Sequence, residues 1–215
     1  MLYRSCVLVL LFLTPCQAMA ATLSGTDFPR AHLGVGIGQK FFSGVEWKRV
    51  SPQRRLSLQA DLRLGHLPIW LDQEYAYTHA DGSPLDNWTG EWTEHDGLME
   101  GQSHEISLGL RHVFQLKRQP LEPWLGLGVV LIIAERKFDV GSAHPLPVAG
   151  TGVGPLYSAG VDLPLCTGWV LGLDLRFSSA HCHLTGETWN GEPLDYRADC
   201  GGSSLSFLIR HRLFD

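Results

Sequence analysis

The sequence predicts an all-β fold, an eight-stranded antiparallel β-barrel that spans a membrane. Three observations predict it: apolar residues alternate with small or charged ones, the alternating runs reach ten or more residues, and the polar faces are rich in glycine. A tilted transmembrane strand needs about 9–11 residues, whereas strands of soluble proteins usually have about 5–6. Glycine suits the crowded interior of a narrow barrel.

The alternation is clearest from Leu56 to Gly65, where leucines and Ala60 share one face and Ser57, Gln59, Asp61 and Arg63 share the other. Similar runs begin near Glu105, Trp124, Trp169 and Ser203. Because successive side chains of a strand point to opposite sides, the leucine faces would contact lipid and the other faces would fill the barrel. We expect strands at about 31–39, 44–51, 55–70, 103–116, 122–137, 153–165, 168–180 and 203–214.

The first twenty residues have the pattern of a signal peptide. Arg4 precedes the apolar run 6–13, and Ala18-Met19-Ala20 forms a small-residue cleavage site. Cleavage at Cys16 as in a lipoprotein is the alternative. Residues 21–215 then form one barrel domain. This part has no apolar run long enough for a membrane-spanning helix, which excludes a helical inner-membrane protein, and the net charge of −5 argues against nucleic acid as a partner.

An exported barrel places both termini in the periplasm and its longer loops outside the cell. We expect periplasmic turns near Pro52, 117–120 and 166–168, and external loops near 40–43, 71–102, 139–152 and 181–202. Aromatic residues close to strand ends would form interfacial girdles. The candidates are Trp47, Trp70, Trp124, Tyr157, Trp169 and Phe214.

The predicted inward faces carry charges of both signs in nearly equal number. A buried charge needs a partner, so these residues would form an ion-paired plug, and a barrel of eight strands is too narrow for an aqueous channel. A porin is therefore a poor interpretation. The inward charges are Glu46, Asp61, Glu105, Asp162 and Asp174, with Lys48, Arg63, Arg111, Arg176, Arg210 and Arg212.

Two cysteines flank a polar segment between strand-like runs. In an exported protein, Cys182 and Cys200 would form a loop-closing disulfide, which leaves Cys166 single. A zinc site built from Cys182, His181 and His183 is the alternative. We expect no other metal or cofactor.

Four segments in this order resemble the lipid A 3-O-deacylase family. The segments are Leu33-Gly34-Val35-Gly36, Glu122-Pro123-Trp124-Leu125-Gly126-Leu127-Gly128-Val129, Gly172-Leu173-Asp174-Leu175-Arg176-Phe177-Ser178-Ser179-Ala180 and Ser203-Ser204-Leu205-Ser206-Phe207. The resemblance implies an eight-stranded outer-membrane hydrolase that removes an ester-linked acyl chain from lipopolysaccharide. It also implies a His-x-Ser-Asn motif on the lipid-facing side of the seventh strand and a Glu on the eighth.

Two registers place the family's motif on this chain. The register over 177–180 makes Ser179 the nucleophile and keeps it on the lipid-facing side, with Phe177 at the histidine position and Ser203 near the acid position. The alternative register over 176–179 makes Ser178 the nucleophile. His181 lies two residues beyond Ser179 on the same face and could act as its base, oriented by Asp199 or Glu187.

The resemblance implies two functions for the chain. The first is a membrane-embedded serine esterase that uses Ser179, His181 and Asp199. The alternative is a non-catalytic structural or surface-interaction barrel of the outer membrane. Lipid and lipopolysaccharide are the expected partners of both. The acidic segment 71–102, which has no Lys or Arg, is typical of a solvated loop, with divalent-cation binding beside lipopolysaccharide phosphates as the alternative.

Overall fold

The computed structural model describes residues 30–44, 47, 50–81, 99–116, 119–138, 146–166, 168–187 and 193–213. The predicted signal peptide, residues 1–20, lies outside them. No helix within these ranges is long and apolar enough to cross a bilayer. The described strands are β1 (Ala31–Phe42), β2 (Gln53–Arg63), β3 (Ile69–Asp81), β4 (Met99–Val113), β5 (Glu122–Phe138), β6 (Leu146–Cys166), β7 (Trp169–Ser178), β8 (His181–Glu187), β9 (Pro193–Asp199) and β10 (Gly202–Arg212).

Eight of these strands close a barrel. Strands β1 to β7 pair antiparallel with their sequence neighbours, β7 pairs with β10, and β10 pairs with β1. The predicted eight-stranded antiparallel barrel is confirmed. The closed ring leaves no sheet edge around the barrel wall, so the backbone hydrogen bonds of the wall are satisfied within the sheet.

Strands β8 and β9 form a hairpin that continues the barrel wall. The pairs Leu156–Ser178 and Thr151–His183 lie five residues apart on both strands, so β8 follows β6 in the register of β7. The pairs Gly202–Ser178 and Asp199–His181 lie three residues apart on both strands, so β9 pairs with β8 in the same register in which β10 pairs with β7. The prediction of an external loop at 181–202 is therefore corrected, because this segment is largely a strand extension.

The predicted second and third strands are also corrected. The described residues of the segment 44–51, which are 44, 47, 50 and 51, are not in a strand, and Trp47 and Val50 are fully buried. The predicted strand 55–70 is instead β2, a turn at 64–68 with Gly65 at φ +60°, and the start of β3. The predicted loop 71–102 contains nearly all of β3 and the start of β4.

The β2–β3, β4–β5 and β6–β7 connections lie at one rim, which we call the short-turn rim, and the β1–β2, β3–β4 and β5–β6 connections lie at the other. The predicted turns near 117–120 and 166–168 do share a rim. Pro52 was wrongly placed with them: it directly precedes β2, whose first residue lies at the opposite rim. The hairpin β8–β9 rises from that opposite rim.

Outward and inward faces differ as predicted. Ile37, Leu127 and Phe207 on the outer wall are 60–66% exposed, whereas Asp61 is 2% exposed and Arg210 is fully buried. Two of the predicted girdle aromatics, Tyr157 and Trp169, are exposed on the outer wall. The other described ones are buried inside the barrel, and Phe214 lies outside the described residues. The buried aromatics are Trp47, Trp70 and Trp124.

Trp124 occupies the lumen because a glycine faces it. A Cβ on Gly160 would lie 2.4 Å from the Trp124 ring, so no larger residue fits there without a shift. The indole Nε1 donates to Asp162 at 3.3 Å, which satisfies its polar end.

One ion-pair cluster surrounds Arg176 inside the barrel. Its guanidinium contacts Asp174 at 2.9 Å, Asp72 at 3.1 Å and Glu74 at 3.3 Å, and donates to the Ser107 hydroxyl at 3.1 Å. Three strands, β3, β4 and β7, therefore meet through one side chain. A buried arginine that serves three carboxylates cannot be removed without leaving unpaired charge.

A second cluster lies towards the short-turn rim. Arg111 contacts Asp61 at 2.9 Å. Arg210 pairs with Asp162, and its Nε donates a hydrogen bond to Gln59 Oε1 at 2.9 Å. The two clusters together fill the lumen with paired charge. The predicted plug is confirmed for Asp61, Glu105, Asp162, Asp174, Arg111, Arg176 and Arg210. It is wrong for Arg63 and Arg212, which have no carboxylate partner among the described residues. Glu46 and Lys48 lie outside the described residues.

The plug also contains four charged residues that the sequence analysis did not place there. Lys40 pairs with Glu105, and Arg55 pairs with Glu74. Asp72 and Glu74 came from the segment interpreted as an acidic loop, so the buried pairs explain part of its acidity. The missed members are Lys40, Arg55, Asp72 and Glu74.

An apolar cluster caps the plug at the rim opposite the short turns. Trp47 stacks on Phe42 with centroids 4.6 Å apart, and the Arg136 guanidinium lies 5.3 Å from the Trp47 ring centre. Buried residues of β5, β6, β8 and β9 pack around it, including Ile132, Val148, Leu184 and Ala198.

Substitution of Arg176 by Met should lower the free energy of unfolding by about 3–5 kcal/mol, because three buried carboxylates lose their shared cation. Arg54→Met, at an exposed site on the outer wall, should change it by less than about 0.5 kcal/mol. Urea titration in non-ionic micelles, read as the shift between folded and unfolded bands on unheated gels, measures both. Equal stability of the two variants would contradict the role assigned to the plug.

Candidate functional site

The predicted nucleophile and base lie where the outer wall changes from apolar to polar. Ser179 follows β7 and His181 begins β8, and both side chains are exposed. Below them on the same face is Phe177, and above them is His183. The shared outward face of Ser179 and His181 is the one that the sequence predicted from strand parity.

Asp199 is the direct cross-strand partner of His181, but its carboxylate is engaged elsewhere. Oδ2 accepts a hydrogen bond from the Ser43 hydroxyl at 2.8 Å, and Oδ1 accepts one from the Gly201 amide at 3.0 Å. Among the described residues, no side-chain hydrogen bond joins Ser179, His181 and Asp199. The three residues are neighbours, and their catalytic role stays a prediction.

The other candidate residues lie apart from this group. Glu187 is at the far end of β8, opposite Pro193. Ser178 is half-buried and lines a small cavity inside the lumen with Lys40, Glu105 and Arg176. The alternative register would therefore place its nucleophile among the lumen charges, away from lipid.

An apolar groove on the outer wall lies directly below Ser179. Tyr157 and Phe177 are cross-strand partners that line it, with Leu127 and Ala159 beside them. Ser179 lies just above this pair, and its amide donates to the Pro155 carbonyl at 3.2 Å. An acyl chain lying in the groove would bring its head group to the level of Ser179.

The outer wall also carries a polar network that the sequence analysis missed. The Tyr75 hydroxyl lies 2.7 Å from His104 Nδ1, and the Tyr77 hydroxyl donates to Gln102 Oε1 at 3.3 Å. Gln102 in turn donates to Glu135 at 2.8 Å. The signal was present in the alternation of tyrosines with Asp72, Glu74, Ala76 and Thr78 along β3. Such a network is suited to the boundary between lipid tails and head groups.

Cys182 and Cys200 are both fully buried in the apolar cluster and face each other. A hydrogen bond from the Cys200 thiol lowers the pKa of Cys182. The same hydrogen bond, together with burial, raises the pKa of Cys200. Both cysteines are free thiols in this structure. Their contact across the base of the hairpin is compatible with the predicted disulfide, which stays a prediction.

The zinc alternative is contradicted by strand alternation. Cys182 points into the barrel, whereas His181 and His183 are exposed on the opposite face of β8. His183 Nε2 instead pairs with Asp195 across the hairpin at 2.8 Å. Asp72 and Glu74 pair with Arg176 inside the barrel, so they are not free to bind a cation as the alternative for 71–102 would require. The four acidic residues from Asp86 to Asp96 lie outside the described residues.

We expect the exported protein to contain a Cys182–Cys200 disulfide. The two thiols release two protons and two electrons when the bond forms, and an oxidant of the export compartment accepts them. Intact mass under non-reducing conditions should be two hydrogens lighter than after reduction. Cys182→Ala should abolish the difference, and Cys166→Ala should not. Alkylation of both thiols in unreduced, denatured protein would exclude the bond.

Comparisons with known proteins give the fold and nothing finer. No family model and no curated protein matches the chain. OprG of Pseudomonas aeruginosa, an outer-membrane protein, is similar with a TM-score of 0.63 and 10% identity over 87% of this chain and 97% of its own. Neisserial surface protein A is similar with a TM-score of 0.56 and 12% identity over 88% of this chain and 100% of its own. Ail of Yersinia pestis, the attachment invasion locus protein, is similar with a TM-score of 0.51 and 12% identity over 86% of this chain and 97% of its own. The chain thus shares the eight-stranded barrel fold of outer-membrane proteins.

Proposed function

We propose that this protein is a non-catalytic barrel of the Gram-negative outer membrane that presents the β8–β9 hairpin as a surface for interaction outside the cell. The observation that carries the proposal is the hairpin itself, which continues two barrel strands beyond the apolar wall. The similar folds of three outer-membrane proteins support the location. The termini and the short-turn rim would then face the periplasm.

The filled lumen argues against a pore. Paired charges occupy it along much of its length, and the apolar cluster with Trp47 closes one end. The cavity beside Ser178 has a volume of about 10 Å³, which is room for about one water. A solute would have to break several buried ion pairs to pass, so the barrel anchors rather than conducts.

The outward face of the hairpin is suited to water and to a polar partner. His181, His183, Thr185, Asp195 and Arg197 are exposed there, whereas the strand face below them carries leucine and phenylalanine. The apolar residues of β8 and β9 point inward and pack on the cap, which holds the hairpin upright. Charge of both signs on the outer face fits a polar partner better than a polyanion.

A lipid esterase is the second candidate function. The specific observation in its favour is that Ser179 and His181 share the outward face above an apolar groove, with Asp199 opposite His181. An ester bond at the membrane surface would lie beside Ser179 while its acyl chain occupied the groove. Activation of the serine would require His181 to turn towards it and Asp199 to leave Ser43.

The proposed orientation predicts which rim is exposed on cells. An epitope inserted between Glu187 and Pro193 should be labelled on intact cells, because the hairpin would project outward. The same epitope inserted in the 64–68 turn should be labelled only after the outer membrane is permeabilised. Labelling of the turn epitope on intact cells would show that the barrel has the opposite orientation and would contradict the proposal.

The two functions predict different lipid A. The non-catalytic proposal expects the mass spectrum of extracted lipid A to be the same with wild type, Ser179→Ala and Ser178→Ala. Loss of one acyl chain with wild type and Ser178→Ala, but not with Ser179→Ala or His181→Ala, would establish the esterase instead. Unheated gels would first show that all variants fold to the same level.

A further inference from the structure

A recess at the short-turn rim of the lumen concentrates positive charge. We call it the basic mouth; its charged lining consists of Arg30, Arg63 and Arg212, with Glu122 as the one acidic side chain among the described residues that line it. The rings of His32 and Trp70, with centroids 4.6 Å apart, also line the recess. His32, Arg63, Trp70, Glu122 and Arg212 have the inward parity of their strands, and Arg30 directly precedes β1, so the recess opens to water and not to lipid.

The arginines of the basic mouth differ from the cations of the plug. Each plug cation described above has a carboxylate partner, such as Asp61 for Arg111 at 2.9 Å. Within the described part of the chain, the Arg30 and Arg212 guanidinium groups have no carboxylate partner. The Arg63 guanidinium donates to the carbonyls of Leu67 and His66, at 3.1 and 3.2 Å, and to no other described residue.

His32 adds a buried polar atom without a partner. Its side chain is 8% exposed, and Nδ1 has no hydrogen bond. Asp61 Oδ2 lies 3.9 Å from this nitrogen, which is too far for one. An unsatisfied buried nitrogen beside unpartnered guanidinium groups marks a site where a bound acceptor would be stabilised.

The size of the recess limits its ligand. Its volume is about 50 Å³. One water needs about 10–15 Å³ by this measure, so there is room for a few waters or one small oxyanion. Guanidinium groups bind phosphate and carboxylate through paired hydrogen bonds. We propose that the basic mouth binds a single oxyanion group, phosphate or carboxylate, that arrives from the aqueous compartment at the short-turn rim.

Calorimetric titration of the full chain in non-ionic micelles with inorganic phosphate, and separately with acetate, tests the proposal. Arg212→Gln should weaken binding of the preferred anion about tenfold, since it removes a charged hydrogen-bond donor. Glu122→Gln should strengthen binding, because it removes a repelling carboxylate from the lining of the recess. Arg54→Gln, an exposed arginine near the opposite rim, should leave the affinity unchanged. Arg212→Lys should retain part of the affinity.

Two further arms separate the possible sources of the anion. An acetylated dialanine with a free carboxylate, compared with its amide, shows whether a peptide terminus can supply the group. Adding anionic phospholipid to the micelles shows whether a lipid head group does. The proposal is overturned if neither phosphate, acetate nor the peptide binds, if Arg212→Gln and Arg54→Gln weaken binding equally, or if only the lipid gives an Arg212-dependent response.

Discussion

The charges in the middle of this barrel find their partners inside the lumen, because the other face of each strand is apolar. Arg176 joins β7 to β3 through Asp72 and Glu74, and Arg111 joins β4 to β2 through Asp61. In a low-dielectric interior such pairs cannot be broken singly without cost, so the network fixes which strands face each other. The wall of leucines and the hairpin above it both depend on that arrangement.

The same constraint separates the molecule into three zones along its axis. The middle zone is filled by ion pairs, and the zone beneath the hairpin is filled by apolar side chains around Trp47. The zone at the short-turn rim contains arginines that have no carboxylate partner among the described residues. Only the two ends are left with groups that a second molecule could engage. The middle zone provides rigidity, since its ion pairs link several strands of the barrel to one another.

Much of the barrel could be predicted from alternation, and the failures have physical reasons. Strands β5 and β7 combine leucine on one face with glycine or charge on the other, so both were found within two residues of their ends. Strand β3 was missed because tyrosine and histidine replace leucine on its outer face, while Asp72 and Glu74 give its inner face the composition of a loop. The hairpin was missed because its outer face meets water.

The candidate site was predictable only in part. The common face of Ser179 and His181 follows from a period of two, which the sequence displays directly. The orientation of Asp199 depends on Ser43, 156 residues earlier in the chain, and no local pattern encodes that contact. Trp124 was predicted to lie in an aromatic girdle because it is close to a strand end. Its parity, which it shares with Gly126 and Gly128, indicated the lumen instead.

The register shared by β7 with β8 and by β10 with β9 has an evolutionary consequence. Residues added or deleted two at a time, in matched numbers on both arms, would lengthen or shorten the hairpin while every side chain below kept its orientation. A single extra residue on one arm would instead turn that arm inside out. The length of the hairpin can therefore change among descendants in discrete steps without any change in the barrel below it.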